Sequence, residues 1–219
     1  MRYWATAVMA AMFVTVQAWA AEAPQAGKEG WIALFDGKDL TGWHVRHENQ
    51  KNLWVVEGGV LRNTGTGTDL ISDVPLVDHE LHVEYRTPPG GNSGVYLQGR
   101  YEVQVGDGTN LKKLGPGMPG AIYGKIVPSK NVSKPAGEWQ SFDITFRSAR
   151  LNAEGKIAQK ARITVIHNGE KIIDNAEIDG VTGSAVDNKE GTPAGLMLQG
   201  DHSAMDYRNI VHRPILAEK

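Results

Sequence analysis

Glu102 and Gln104 stand two residues apart in the run Tyr101-Glu-Val-Gln-Val105. In a strand they share one face, while Tyr101, Val103 and Val105 point to the other. A carboxylate there can act as a general base or grip hydroxyl groups, and the amide beside it can both donate and accept hydrogen bonds. Gln98 and Arg100 precede the pair, and Tyr96 lies in the alternating run Asn92-Ser-Gly-Val-Tyr-Leu97. A merely solvated sheet face is expected to carry Lys, Thr and Ser instead of this mixture of carboxylate, amide and guanidinium. The stretch therefore reads as one wall of a polar pocket. The plainer alternative is a half-buried strand with a wet outer face.

A second group of chemistry-bearing residues is Gln199-Gly-Asp-His202, which ends the apolar run Ala194 to Leu198 and precedes Asp206-Tyr-Arg-Asn-Ile210. A histidine titrates near neutrality, so His202 beside Asp201 at a strand end is a candidate acid or base; an exposed histidine in a turn is the competing reading. His44, His47, His79, His82, His167 and His212 are expected on strand surfaces or edges. His79 and His82 fall on opposite strand faces, which makes them a poor metal pair. Tyr123 and Lys125 lie in a long connection together with Asn131 and Ser133. A lysine there could neutralise an enolate or anchor a hydroxyl, although a solvated lysine is the commoner case. Trp31, Trp43, Trp54 and Trp139 could stack on sugar rings, but tryptophans at strand starts more often fill the core.

Other chemistries are excluded by what the chain lacks. It has no Gly-x-Ser-x-Gly elbow, no His-Glu-x-x-His, no phosphate-binding glycine loop and no dinucleotide fingerprint. A retaining glycosidase needs two facing carboxylates about 5 Å apart, and no strand offers an obvious pair. With no cysteine there is neither a disulfide framework nor a thiolate metal site.

The elements that must position these residues are strands. Alternating runs cover Trp31 to Asp36, Trp43 to His47, Leu53 to Glu57, Val60 to Asn63, Asp69 to Ser72, His79 to Thr87, Gly94 to Gln98 and Tyr101 to Val105. They resume at Trp139 to Arg147, Ala161 to His167, Lys171 to Ile178, Ala194 to Leu198 and Tyr207 to His212. Many short strands divided by Gly, Pro, Asn and Asp clusters predict an all-β, antiparallel sandwich or barrel, and no segment has a helical period. Asn168-Gly169 and Glu57-Gly58-Gly59 are predicted hairpin turns. The connection from Gly106 to Glu138 is long enough to suggest function, and is expected to fold over the polar strand face.

The N-terminus carries an export signal. Arg2 precedes the apolar run Ala5 to Val16, too short to span a membrane, and Ala18-Trp-Ala20 supplies a cleavage site. Residues 1–20 are thus expected to be a signal peptide, 21–29 a flexible lead-in and 30–216 a single domain. The destination is the periplasm or the medium. The chain of 219 residues has a net charge of −2, without a long basic run or a second apolar segment, which argues against nucleic acid or membrane as a partner.

A family resemblance rests on several motifs in order. They are Trp31-Ile-Ala-Leu-Phe-Asp-Gly-Lys-Asp-Leu-Thr-Gly-Trp43, Trp54-Val-Val-Glu-Gly-Gly-Val-Leu61, Asn92-Ser-Gly-Val-Tyr-Leu97, Tyr101-Glu-Val-Gln104, Gly120-Ala-Ile-Tyr-Gly124, Gly137-Glu-Trp139 and Arg208-Asn-Ile210. Together, from about Trp31 to Pro214, they resemble the 3-keto-disaccharide hydrolase domain. The resemblance implies a concanavalin A-like jelly-roll sandwich with its site on the concave face. It also implies an oxidised 3-keto-glucoside or disaccharide as substrate. Removal of the acidified C2 proton, departure of the C1 group and addition of water would then give net hydrolysis. On this footing Glu102 or His202 is the base and the other assists departure, with Asp201 orienting His202. Arg208, Lys125 or a bound cation would stabilise the enolate, and Gln104, Tyr123, Gln199, Tyr96 and Gln98 would bind hydroxyls. No cofactor is required, although a divalent ion held by oxygen and His could take part. The alternative function is a noncatalytic, lectin-like carbohydrate-binding module on the same sandwich.

Overall fold

A computed structural model describes residues 22–216. The elements expected to be signal peptide, residues 1–20, lie outside the described residues. Fifteen strands follow in chain order: β1 (Ile32–Ala33), β2 (Trp43–Val45), β3 (Trp54–Glu57), β4 (Val60–Asn63), β5 (Leu70–Ser72), β6 (His79–Arg86), β7 (Asn92–Leu97), β8 (Tyr101–Gly106), β9 (Gln140–Arg147), β10 (Arg150–Leu151), β11 (Ile157–Gln159), β12 (Arg162–His167), β13 (Glu170–Glu177), β14 (Met197–Leu198) and β15 (Met205–Pro214). All pair antiparallel, as the alternating sequence predicts.

Two sheets form the expected jelly-roll sandwich. The larger runs β13-β12-β9-β6-β15-β4-β3, with β1 added on β15, and the smaller runs β2-β5-β14-β7-β8. Leu81, Val83 and Tyr85 of β6 and Phe142, Ile144 and Phe146 of β9 face Val95, Leu97, Tyr101, Val103, Val105 and Leu198 of the small sheet, all buried. Burying this apolar set is what holds two sheets together in a chain that has no disulfide. Trp43 and Trp54 belong to this core, their indole N–H groups donating to Leu34 O and Thr68 O.

The turns are set locally. Asn168 and Gly169 take φ of 51° and 81° and join β12 to β13 with His167 opposite Glu170. Both central residues left-handed is the twist a two-residue hairpin needs, and only Asn and Gly adopt it at low cost.

Several expectations require correction. β10 and β11 form a small hairpin that the sequence reading missed. His79, His82, His167 and His212 are buried, each 1–5% exposed, and do not lie on open strand surfaces. His167 packs between Tyr85 and Phe142, its Nε2 sharing a hydrogen bond of 2.9 Å with the Tyr85 hydroxyl. His82 does sit on the outer face, but there it is closed in by Asp143 and Glu84, with Nδ1 2.6 Å from Asp143 Oδ1. Residues 22–29 of the expected lead-in turn back onto β15, where Asn209 Nδ2 donates to Pro24 O and Arg213 to Glu29 O.

Candidate functional site

The wall predicted from Glu102 and Gln104 is real, and pairing of β7 with β8 completes it. Tyr96 stands opposite Glu102 and Gly94 opposite Gln104, so all four share the outer face of the small sheet. The Tyr96 hydroxyl donates to Glu102 Oε2 at 2.8 Å, and Gln199 Nε2, one residue beyond β14, reaches that hydroxyl at 3.5 Å. Gly94 makes room for them: a Cβ there would lie 2.7 Å from Glu102 Oε1 and 2.7 Å from Tyr96 Cε2.

Asn92, Tyr96, Glu102, Gln104, Gln199 and His202 line a polar cavity of about 100 Å³, closed further by Tyr123, Gly183 and Ser184. Glu102 is only 4% exposed. Burial pushes its pKa up to about 7, against the Tyr96 hydrogen bond and the nearby His202, which favour the carboxylate, while Asp201 and Asp69 push the same way as burial. A carboxyl group balanced near neutrality can both take and return a proton under ordinary conditions. His202 is hydrogen-bonded through Nδ1 to Asp201, as expected of an oriented imidazole. Gln104 spends its NH2 on Asn92 Oδ1 and on Ser93 O and Val105 O. What Asn92 retains for a ligand is therefore its own NH2.

The rims come from two non-local pieces. Asn63 Nδ2 holds Gly200 O and Ser203 O, and Thr66 Oγ1 holds His202 O, fixing the turn that carries His202. Opposite it a strap, residues 179–193, runs between β13 and β14. Buried Arg100 clamps this strap by pairing with Asp187 at 2.6 Å and donating to Thr192 O at 2.8 Å. Thr182 Oγ1 accepts from Glu102 N. The strap's contribution, Gly183 and Ser184, was missed by sequence reasoning, because no local pattern announces a partner 80 residues away.

Three predicted site residues fall elsewhere. Gln98 is fully buried with φ of 52°, because β7 ends at Leu97 and residues 98–100 turn the chain into β8. Its amide is used on Leu76 O and Ser148 Oγ. Arg208 lies on the large sheet, on the face away from the core, bonded to Glu84 at 2.7 Å and stacked 4.0 Å above the Trp139 ring. Lys125 donates to Asp179 O at 2.6 Å at the strap's base and does not line the cavity. The long connection also differs from expectation. Its centre pairs along the edge of β8, with Tyr123 N donating to Glu102 O and Gln104 N to Ala121 O. Only Tyr123 reaches the pocket, and the strap is what overhangs the polar face.

Among the described residues no three His, Asp or Glu side chains converge as a metal site. Larger hollows exist, of about 420 Å³ beside Arg62, Arg86 and Asp206 and about 340 Å³ beside His79 and His212. In the first the charged groups are spent on one another, and in the second burial lowers the pKa of both histidines. Neither places a buried carboxyl group near neutrality beside a histidine, as the Glu102 cavity does.

Comparison with known proteins identifies the family of the sandwich as a whole. A family profile described as "3-keto-alpha-glucoside-1,2-lyase-like domain" matches residues 30–213. A curated "3-keto-disaccharide hydrolase" of Bacteroides thetaiotaomicron is 25% identical over 151 residues, 53% of this chain and 52% of that protein. The chain thus matches about half the length of that relative. The crystal structure of a "putative glycosyl hydrolase" from Parabacteroides distasonis is 30% identical with a TM-score of 0.73, covering 85% of this chain and 84% of that one. A second such structure from the same organism, 21% identical with a TM-score of 0.65 and covering 86% and 95%, shares the fold. With its profile match spanning nearly the whole sandwich, the chain belongs to the family of 3-keto-alpha-glucoside-1,2-lyase-like domains.

Proposed function

We propose that the protein is an exported enzyme that cleaves 3-keto-glycosides at the Glu102 cavity by elimination and hydration. The observation that carries this reading is the buried Glu102 carboxyl, balanced near neutrality beside His202 in a polar cavity. A ketone at C3 acidifies the C2 proton. Glu102, as carboxylate, takes that proton, the electron pair forms the C2–C3 enolate, and its collapse expels the C1 oxygen. His202, oriented by Asp201, gives its proton to the departing oxygen. Water then adds across the C1–C2 double bond: its hydroxyl goes to C1 and its proton back to His202, while Glu102, its proton exchanged with solvent in the meantime, protonates C2. The NH2 groups of Asn92 and Gln199 are the donors placed for the enolate oxygen, a role that Arg208 and Lys125 are too far committed elsewhere to fill. Gln104 and Tyr123 bind hydroxyls.

The relatives' names support a carbohydrate-active enzyme, and the proton chemistry of the cavity favours turnover over simple binding. The export signal expected over residues 1–20 supports action in the periplasm or the medium; no described helix is long and apolar enough to cross a membrane. No cofactor enters the steps above. Incubation with 3-keto-trehalose should release 3-keto-glucose, while trehalose itself should be left intact. Binding of the oxidised sugar without product would instead make the domain a lectin-like module.

A further inference from the structure

We propose that Arg46 and Asp69, which do not line the cavity, are a positioning pair that holds both of its rims in register around Glu102. Asp69 precedes β5 and Arg46 follows β2, and their side chains are 7% and 19% exposed. Asp69 Oδ1 accepts from Gly200 N at 2.9 Å, which fixes the turn between Gln199 and His202. Its Oδ2 accepts from Arg46 Nη1 at 3.1 Å. The same guanidinium reaches the strap, donating to Ser184 O at 2.8 Å and to Ala185 O at 2.9 Å. One ion pair thereby ties the His202 turn to the Ser184 rim across the floor of β5 and β14.

Two features mark this bridge as built. Gly200 could not be replaced without loss of the contact, since a Cβ there would lie 2.2 Å from Thr68 O. Ser184 holds φ of 58°, a left-handed backbone that a non-glycine residue keeps only when its surroundings impose it. Arg46 supplies that constraint through a planar fork that a lysine cannot reproduce. A buried ion pair contributes little net stability, so what this one supplies is geometry more than folding energy.

The pair also acts on Glu102 through charge. The groups facing that carboxyl are Tyr96 on β7, His202 and Asp201 on the turn after β14, and Asp69. Asp69 disfavours the carboxylate, and in this proposal the Arg46 guanidinium paired with it at 3.1 Å carries the opposing charge.

The inference rests on the reading of Glu102 as the proton-transferring group, and its test is separable from that reading. The carboxyl carbon of Glu102, labelled with 13C, is titrated by NMR without substrate in the wild type and in Asp69→Asn, Arg46→Met and Arg46→Lys. Asp69→Asn should lower the midpoint and Arg46→Met should raise it, each by about half a pH unit. Arg46→Lys should leave the midpoint in place, speed amide exchange in residues 183–185 and raise KM for the 3-keto-glucoside about tenfold with little change in kcat. A purely structural pair would not give titration shifts of opposite sign. Unmoved midpoints in folded variants overturn the proposal. So does wild-type exchange in the strap of Arg46→Lys, which needs neither substrate nor the other variants. Shifted midpoints in a protein that turns over no 3-keto-sugar would keep the pair and reject the reaction.

Discussion

The Tyr96 hydroxyl donates a 2.8 Å hydrogen bond to Glu102 Oε2 from the position directly opposite it in the β7–β8 ladder. The bond favours the carboxylate, while burial opposes it more strongly, and the balance sets the group near neutrality. Tyr96→Phe removes the favourable part alone. Its rate profile should therefore keep its shape while the acid limb of kcat/KM moves upward, by about one pH unit, because a hydrogen bond to a charged group contributes about 1.5 kcal/mol or more. An unmoved limb would show that the hydroxyl does not act on Glu102.

Glu102→Gln and His202→Ala should each lower kcat by at least about 100-fold, the usual cost of losing an acid or base in the transition state. Both variants should retain the wild-type fold by circular dichroism. Near-wild-type rates in either one would remove that residue from the mechanism.

Glu102 also affects stability, and the sign follows from its raised pKa. The folded protein binds the Glu102 proton more tightly than the unfolded chain does, so this stabilising contribution is full below the unfolded value of 4.5 and is lost as pH rises through about 7. Glu102→Gln should then be more stable than the wild type at pH 8, by on the order of 1–3 kcal/mol, and nearly equal to it at pH 5. Urea unfolding at the two pH values checks this. An equal difference at both would contradict the burial of the charged form.

His79 shows the opposite dependence. Burial lowers its pKa from 6.5 to about 4, so the stability it protects is present above 6.5 and is lost as pH falls toward 4. Its Nε2 has no partner among the described residues, so His79→Phe forfeits little at that atom. The variant should lose less stability than the wild type between pH 7 and pH 5, read again by urea midpoints. A parallel loss in both would assign acid lability to other groups.

Gly94→Ala separates room from folding. The backbone there is ordinary strand, but the added methyl would meet Glu102 Oε1 at 2.7 Å and its Cγ at 2.8 Å. Displacing the carboxyl by a fraction of an ångström should lower kcat/KM by at least about tenfold, with a stability change of about 1–2 kcal/mol. Wild-type activity in Gly94→Ala would mean that the cavity tolerates a shifted carboxylate.

The sandwich was legible because its signals are local. Period-two alternation in His79 to Arg86 and left-handed turn residues at Asn168-Gly169 specify strand and hairpin within a few positions. Glu102 and Gln104 were legible for the same reason. Gln98 was misread because alternation alone does not reveal that the chain turns at Leu97. Arg208 was misplaced because a strand's face depends on which sheet it joins, and Lys125 because nothing local shows where a turn in a long connection directs its side chain. The Arg46–Asp69–Gly200 link and the strap are non-local, joining residues 23 to 139 positions apart. The buried histidines escaped notice because polarity argues for exposure until a partner such as Tyr85 for His167 is known.

The most direct test of the central claim is turnover of a 3-keto-glucoside in D2O, with deuterium at C2 of the released 3-keto-glucose read by NMR before the free sugar exchanges by itself. Elimination transfers the original C2 proton to Glu102, which exchanges it with solvent as the leaving group gives way to water, so the product should carry deuterium at C2 in nearly every molecule. Product that retains its original C2 proton, formed without an isotope effect on kcat/KM when the substrate carries deuterium at C2, would mean direct displacement at C1 and would contradict the account.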